Sequence, residues 1–224
     1  MRRFVLVPGA NHGGWWYEPV VAGLQKAGHV ADAVTLSGLH PDGPPAPAAN
    51  LDTHIAEVVA LLQVREEQGQ VVLAGHSYGG SVITGVADHL PHRVAALVYL
   101  DAFVPDHGDT SWSMTKEWEH KWYIDDSGET GLAVAPLPFF DKRARPHPLG
   151  TLLQKSRLTG AYKSVKRKHF VAAVGAEWRK QSPFIEVAHR LRGDPGWVVT
   201  ELDSSHNFLA HGPEALLRIL LAEA

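Results

Sequence analysis

Residues 71–80 read VVLAGHSYGG, so Gly75, Ser77 and Gly79 form a Gly-x-Ser-x-Gly run directly behind four apolar residues. A serine that ends a buried strand and opens a helix can be held in a strained turn, hydroxyl lifted above the sheet, if the residues two before and two after it are nearly free of side chain. Such a serine is a candidate nucleophile. The backbone N–H of Tyr78, at the helix start, would face a developing oxyanion with the helix dipole behind it. A second donor is expected from the loop after the first core strand, PGANHGGWWY, where the N–H of Ala10 is the natural choice. That loop has neither a GxGxxG run nor a GK[ST] ending, which excludes a phosphate cradle.

A parallel sheet with crossover helices would position these groups. Apolar, β-branched runs predict strands over Phe4–Val7, Val30–Leu36, Val71–Ala74, Val94–Phe103, His169–Val174 and Val198–Leu202. Helical patterns over Tyr17–Ala27, Leu51–Gln68, Ser81–His89 and Pro213–Ala222 alternate with them, and Ile55, Val58, Val59 and Leu62 form one stripe of the second. The expected class is α/β, a mostly parallel, roughly six-stranded sheet flanked by helices, as one domain over residues 1–224. The pattern breaks over about 104–168, which carries Trp112, Trp118, Trp122 and several prolines but no clear strand. Its aromatic content argues against a disordered linker and for a partly helical inserted cap.

Composition narrows the classes further. A formal charge of −3 gives no basic stripe for nucleic acid, and the basic run Lys163–Lys168 is read as a solvated loop. No run of eighteen apolar residues suggests a membrane span, and FVLV begins too early for a signal peptide. Cysteine is absent, which removes disulfides, thiol catalysis and cysteine metal sites, and fits a cytoplasmic enzyme. The histidines show no metal-ligand spacing, so neither a metal nor another cofactor is expected. A small-molecule substrate is the expected partner; a monomer and a homodimer both stay open.

The chain resembles the α/β-hydrolase superfamily, and more narrowly the plant methylesterase and hydroxynitrile-lyase group with its bacterial relatives. The likeness rests on Ala10-Asn11-His12-Gly13-Gly14-Trp15, Gly75-His76-Ser77-Tyr78-Gly79-Gly80, Tyr99-Leu100-Asp101-Ala102-Phe103-Val104-Pro105 and Ser205-His206. It implies a Ser–His–acid triad in which the base comes last in the chain. His206, in DSSHN after the last strand, is therefore the expected base. Among the other histidines, His76 is read as packing, His12 as pocket lining, and His54, His89, His92 and His189 as surface groups; His147 and His211 have no evident partner.

The triad acid has two candidates. Glu177 stands about where the resemblance implies an aspartate, in the loop after the penultimate strand. Asp101, amid Val98, Leu100, Ala102 and Phe103, would be costly to bury without a partner, and some branches of the superfamily place their acid there. Asp101 is the favoured assignment and Glu177 the alternative. Asp106 and Asp109 fall too far into the cap. The lyase members' threonine and lysine are replaced by Gly9 and Asn207, which favours hydrolysis over cyanohydrin cleavage, and a serine nucleophile argues against the epoxide-hydrolase and dehalogenase branches. The expected enzyme is a serine esterase or lactonase, with Trp15, Trp112, Trp118, Trp122 and His12 around a small apolar or aromatic substrate. A carbon–carbon lyase, decarboxylase or cyclase on the same site is the alternative, and a ligand-binding receptor the third class.

Overall fold

The computed structural model describes residues 1–64 and 69–223. Along the chain come β1 (Arg3–Val7), α1 (Glu18–Lys26), β2 (Val30–Ala33), α2 (Leu51–Val64), β3 (Val71–Ser77), α3 (Gly79–His89) and β4 (Val94–Ala102). The inserted segment holds α4 (Ser111–Met114), α5 (Glu117–Asp125), β5 (Ala133–Val134), β6 (His147–Pro148) and α6 (Leu149–Leu153). The core then resumes with β7 (Arg167–Ala173), α7 (Ala176–Arg179), α8 (Phe184–Arg192), β8 (Val198–Leu202) and α9 (Glu214–Leu221).

Six strands form one parallel sheet in the order β2-β1-β3-β4-β7-β8. Because side chains alternate across a strand, β1 sends Val5 and Val7 to one face and Phe4 and Leu6 to the other, and all four are fully buried. Val5, Val7, Leu73, Tyr99 and Phe170 pack with α2, α3 and the inserted segment, while Phe4, Leu6, Val72 and Leu100 pack with α1 and α9. Chain order reverses between β1 and β3. The crevice beyond the carboxyl ends of strands at such a switch point is where ligands bind in sheets of this kind.

Several sequence expectations need correction. Strand β2 ends at Ala33 instead of Leu36, and the last four residues of the helix expected over Leu51–Gln68, 65–68, lie outside the described residues. The segment expected to lack strands contains an antiparallel two-stranded ribbon, with Ala133 opposite Pro148 and Val134 opposite His147. The basic run is not wholly a solvated loop: Lys168 lies in β7 and is buried, its Nζ donating to the carbonyls of Lys163 and Val165. Among the described residues, no helix is long and apolar enough to cross a membrane.

Candidate active site

The serine turn takes its shape from its glycines. A Cβ on Gly75 would lie 2.6 Å from the backbone of Gly79, and one on Gly79 would lie 2.4 Å from the carbonyl oxygen of Val7. Both contacts are closer than real Cβ atoms tolerate, so only glycine lets β3 turn this sharply into α3. Ser77 itself has φ +51°, in the left-handed region that costs an L residue conformational energy. The loop after β1 lies directly against it, since a Cβ on Gly9 would meet Ser77 Cβ at 3.0 Å. Among the described residues, the backbone N–H groups of Ala10 and Tyr78 have no protein acceptor.

Asp101 is brought to the site by a bulge in β4. The β3–β4 register pairs His76 with Leu100 and Ser77 with Ala102, so Asp101 is the extra residue, and its φ is +44°. A bulge re-aims a side chain that regular alternation would direct elsewhere. The carboxyl is fully buried and accepts three hydrogen bonds: Ala173 N–H to Oδ1 at 3.1 Å, Trp178 Nε1–H to Oδ2 at 2.6 Å, and His206 Nδ1–H to Oδ2 at 2.7 Å. Burial pushes this carboxyl up, against the pull of the Ala173 and Trp178 donors. Burial pushes the His206 imidazole down, and the nearby His12 opposes a second positive charge. With Nδ1–H given to Asp101, Nε2 of His206 is the unprotonated nitrogen, and 27% of the side chain stays exposed.

His206 sits in an aromatic clamp. Trp178 stacks on it at 4.6 Å, Phe184 at 5.4 Å, and His76 lies tilted at 4.4 Å while its Nε2–H donates to the His206 carbonyl. Among the described residues Ser77 Oγ makes no hydrogen bond to His206 Nε2. Catalytic hydrogen bonds are often long without substrate and tighten when it binds.

Glu177 is on α7, but its side chain is 86% exposed and pairs with Lys180, so it points to solvent instead of to His206. Asp106 and Asp109 lie at the start of the inserted segment, where Asp106 N–H bonds Asp109 and Asp106 pairs with Lys163 and Arg190. His12 donates from Nδ1 to the Ala10 carbonyl at 2.7 Å and contacts Trp15 and Phe140. Trp15 lines an open groove of about 360 Å³ with Glu18, Gln25 and Thr35, a surface feature that contains neither Ser77 nor His206. Trp112 stacks on His120, Trp122 donates to the Ala135 carbonyl, and Trp118 donates to the Gln181 carbonyl and packs on Trp178. None of the four tryptophans makes a ring contact or hydrogen bond to Ser77 or His206 among the described residues; Trp118 comes nearest, one ring removed.

Two histidines differ from the sequence reading. His54, read as a surface group, is fully buried on the apolar stripe of α2, where Val58 and Leu62 follow it at helical spacing. His147, for which the sequence showed no partner, is fully buried between the Asn11 N–H and the Thr151 hydroxyl. The sequence reading also missed Trp178, although it follows Glu177 directly.

The alpha/beta hydrolase family model matches residues 4–220. The chain is 34% identical over 250 residues to the carbendazim hydrolyzing esterase of Nocardioides sp. (strain SG-4G), an alignment spanning 99% of each chain. Among solved structures it superimposes on an extracellular alpha/beta-hydrolase from a Paenibacillus species with a TM-score of 0.78 at 20% identity, covering 100% of this chain and 99% of that one. Tomato Methylketone Synthase I aligns with a TM-score of 0.77 at 21% identity, over 99% of this chain and 96% of that one.

Proposed function

Since the chain belongs to the alpha/beta hydrolase family, as a carboxylic ester hydrolase of that family, we propose that it works through an acyl-enzyme on Ser77. His206 serves as general base and then general acid, and Asp101 as the carboxylate that orients it. The observation that carries this reading is the 2.7 Å hydrogen bond from His206 Nδ1 to a fully buried Asp101, beside a serine held at φ +51°. Nε2 of His206 takes the proton from Ser77 Oγ as the oxygen attacks the ester carbonyl. The tetrahedral oxyanion is held by the Ala10 and Tyr78 N–H groups. His206 then passes its proton to the departing alcohol, and an activated water releases the acid by the same steps in reverse roles.

Gly9 and Asn207 stand where the lyase members of the resembling group carry a threonine and a lysine, which favours hydrolysis over lyase chemistry. The substrate class we propose is a small apolar or aromatic ester or lactone, and the name of the Nocardioides relative makes carbendazim a compound to assay. His12, Trp15, Trp112, Trp118 and Trp122 are proposed as the aromatic surroundings of the pocket, with the segment 104–168 as its cap, and the cytoplasm as the compartment.

The test is stopped-flow hydrolysis of an activated aryl ester. A burst of phenol stoichiometric with protein, abolished in Ser77→Ala, is the expected result. Steady turnover by Ser77→Ala at the wild-type rate would refute the proposal.

A further inference from the structure

The two oxyanion donors belong to chain segments far apart in sequence, and one buried cluster, joined by the edge-on contact of the Tyr78 and His147 rings, reaches both. From the loop side, Asn11, the residue after Ala10, has φ +65° and donates its N–H to His147 Nδ1 at 3.2 Å. Its side-chain amide donates to the carbonyls of Val134 and Arg145, each at 2.9 Å, and Arg145 N–H returns a bond to the Asn11 carbonyl at 2.9 Å. The ribbon of β5 and β6 thus grips the oxyanion loop through a single residue. From the elbow side, the Tyr78 phenol meets His54 Nδ1 at 2.9 Å, and the Tyr78 ring packs edge-on against the His147 ring, centroids 4.7 Å apart. Thr151 Oγ1 anchors that His147 ring, 2.8 Å from Nε2 and itself 2.7 Å from the Pro148 carbonyl.

The proton directions start from three groups with a fixed role, the Asn11 N–H and the Ser37 and Pro148 carbonyls. The Asn11 N–H can only donate, so His147 Nδ1 accepts and its Nε2–H donates to Thr151. The single hydrogen of Thr151 then goes to the Pro148 carbonyl. The Ser37 carbonyl, 3.1 Å from His54 Nε2, can only accept, so that nitrogen donates and Nδ1 receives the phenol hydrogen. His147 must be neutral, because a second ring proton would face the Asn11 N–H, and burial pushes the His54 imidazole down. His54, His147 and Thr151 are fully buried and Tyr78 nearly so, which leaves no water to substitute for a lost partner.

We infer that His147 and Thr151 are positioning residues that hold the Ala10 and Tyr78 donors in fixed relation, an inference that rests on the acyl-enzyme reading of Ser77. Neither touches the reacting atoms. Their effect is on the spacing of two N–H groups, which matters most when the carbonyl oxygen becomes an anion.

The test compares Thr151→Val, which keeps the shape and removes the hydroxyl, with Thr151→Ser, which restores it. Active sites are first counted by the acyl burst, so that misfolded protein drops out of the rate. Thr151→Val is expected to lose about tenfold in kcat per titrated site with KM little changed. The Ki for an aryl trifluoromethyl ketone, whose hemiketal oxyanion occupies the hole, is expected to rise by a similar factor, and Thr151→Ser is expected to recover most of both. If Thr151→Val does not fold, Tyr78→Phe frees the elbow side from His54 and is expected to show the same pair of losses. Unchanged kcat per site and unchanged ketone Ki, whatever happens to thermal stability, would overturn the inference alone. Hydrolysis by Ser77→Ala at the wild-type rate would overturn the reading of Ser77 and this inference with it.

Discussion

Replacing Asp101 by asparagine keeps the volume of the side chain and removes its charge, and the structure shows why both amide orientations fail. Oδ1 accepts from Ala173 N–H, and Oδ2 accepts from both Trp178 Nε1–H and His206 Nδ1–H. If the amide oxygen stays with Ala173, the NH2 group faces the Trp178 donor and forces His206 Nδ1 to accept, which moves the imidazole proton to Nε2 and removes the base. If the amide flips, the correct tautomer survives, but two donors face each other at Ala173. That contact costs about 1–3 kcal/mol for a buried unsatisfied group. Neither orientation stabilises an imidazolium. We expect kcat/KM for an activated aryl ester to fall by about 10³–10⁴, or about 4–5.5 kcal/mol of transition-state stabilisation. Glu177→Gln, which changes an exposed side chain paired with Lys180, is expected to stay within about twofold of wild type, as surface changes of this kind usually do. Folding should respond differently from activity. Burial raises the carboxyl's folded value above 3.8, so its contribution to stability is complete below the unfolded value and lost as pH rises through the folded one. Asp101→Asn is therefore expected to be at least as stable as wild type at pH 9 by urea unfolding, while nearly inactive. Retention of activity within about tenfold, or a comparable loss in Glu177→Gln, would refute the assignment of the acid.

Two further outcomes follow from the same geometry. Trp178→Phe keeps a ring against His206 but removes the indole donor to Asp101 Oδ2; kcat/KM is expected to fall about tenfold, matching a lost hydrogen bond to a charged group. The acidic limb of its pH–rate profile should move to higher pH, because the carboxylate loses a stabilising donor; an unmoved limb would contradict this. On α5, burial pushes the Glu119 carboxyl up to about 7 from 4.5, against the pull of the Lys116 N–H, and the folded state therefore holds a proton that the unfolded chain has released. That stabilising contribution is complete below about 4.5 and lost as pH rises through about 7, so from pH 5 to pH 8 wild type should lose about 2–3 kcal/mol relative to Glu119→Gln. Parallel stability profiles for the two proteins in urea titrations would contradict the sign.

The elbow was legible in the sequence because its constraints are local. Gly75, Ser77 and Gly79 mark a turn that only small flanking residues permit, and the strand before and helix after confirm its context within a dozen residues. The sheet was legible for a related reason, since strands buried on both faces read as unbroken apolar runs. Asp101 was visible as an acidic residue in such a run, yet its bulge is a property of register between β3 and β4, which no single strand displays. Trp178 and Phe184 could not be tied to His206 from the sequence, because stacking depends on how α7 and α8 fold back over the last loop. The buried role of His54 had a signal that went unused: it occupies the same helical stripe as Val58 and Leu62. The ribbon of β5 and β6 left almost none. Two-residue strands carry no period, and the pairing of Val134 with His147 joins positions separated by a loop rich in proline and charge.

The central claim is that Ser77 carries the acyl group, and the most direct measurement is to trap it there. The protein is mixed with an aryl ester, quenched in acid during the burst, digested, and the peptide spanning residues 71–80 weighed and fragmented. An added mass equal to the acyl group on Ser77, absent from the Ser77→Ala protein, is the expected result. Hydrolysis at the wild-type rate with no adduct on Ser77, or with the adduct on another residue, would contradict it.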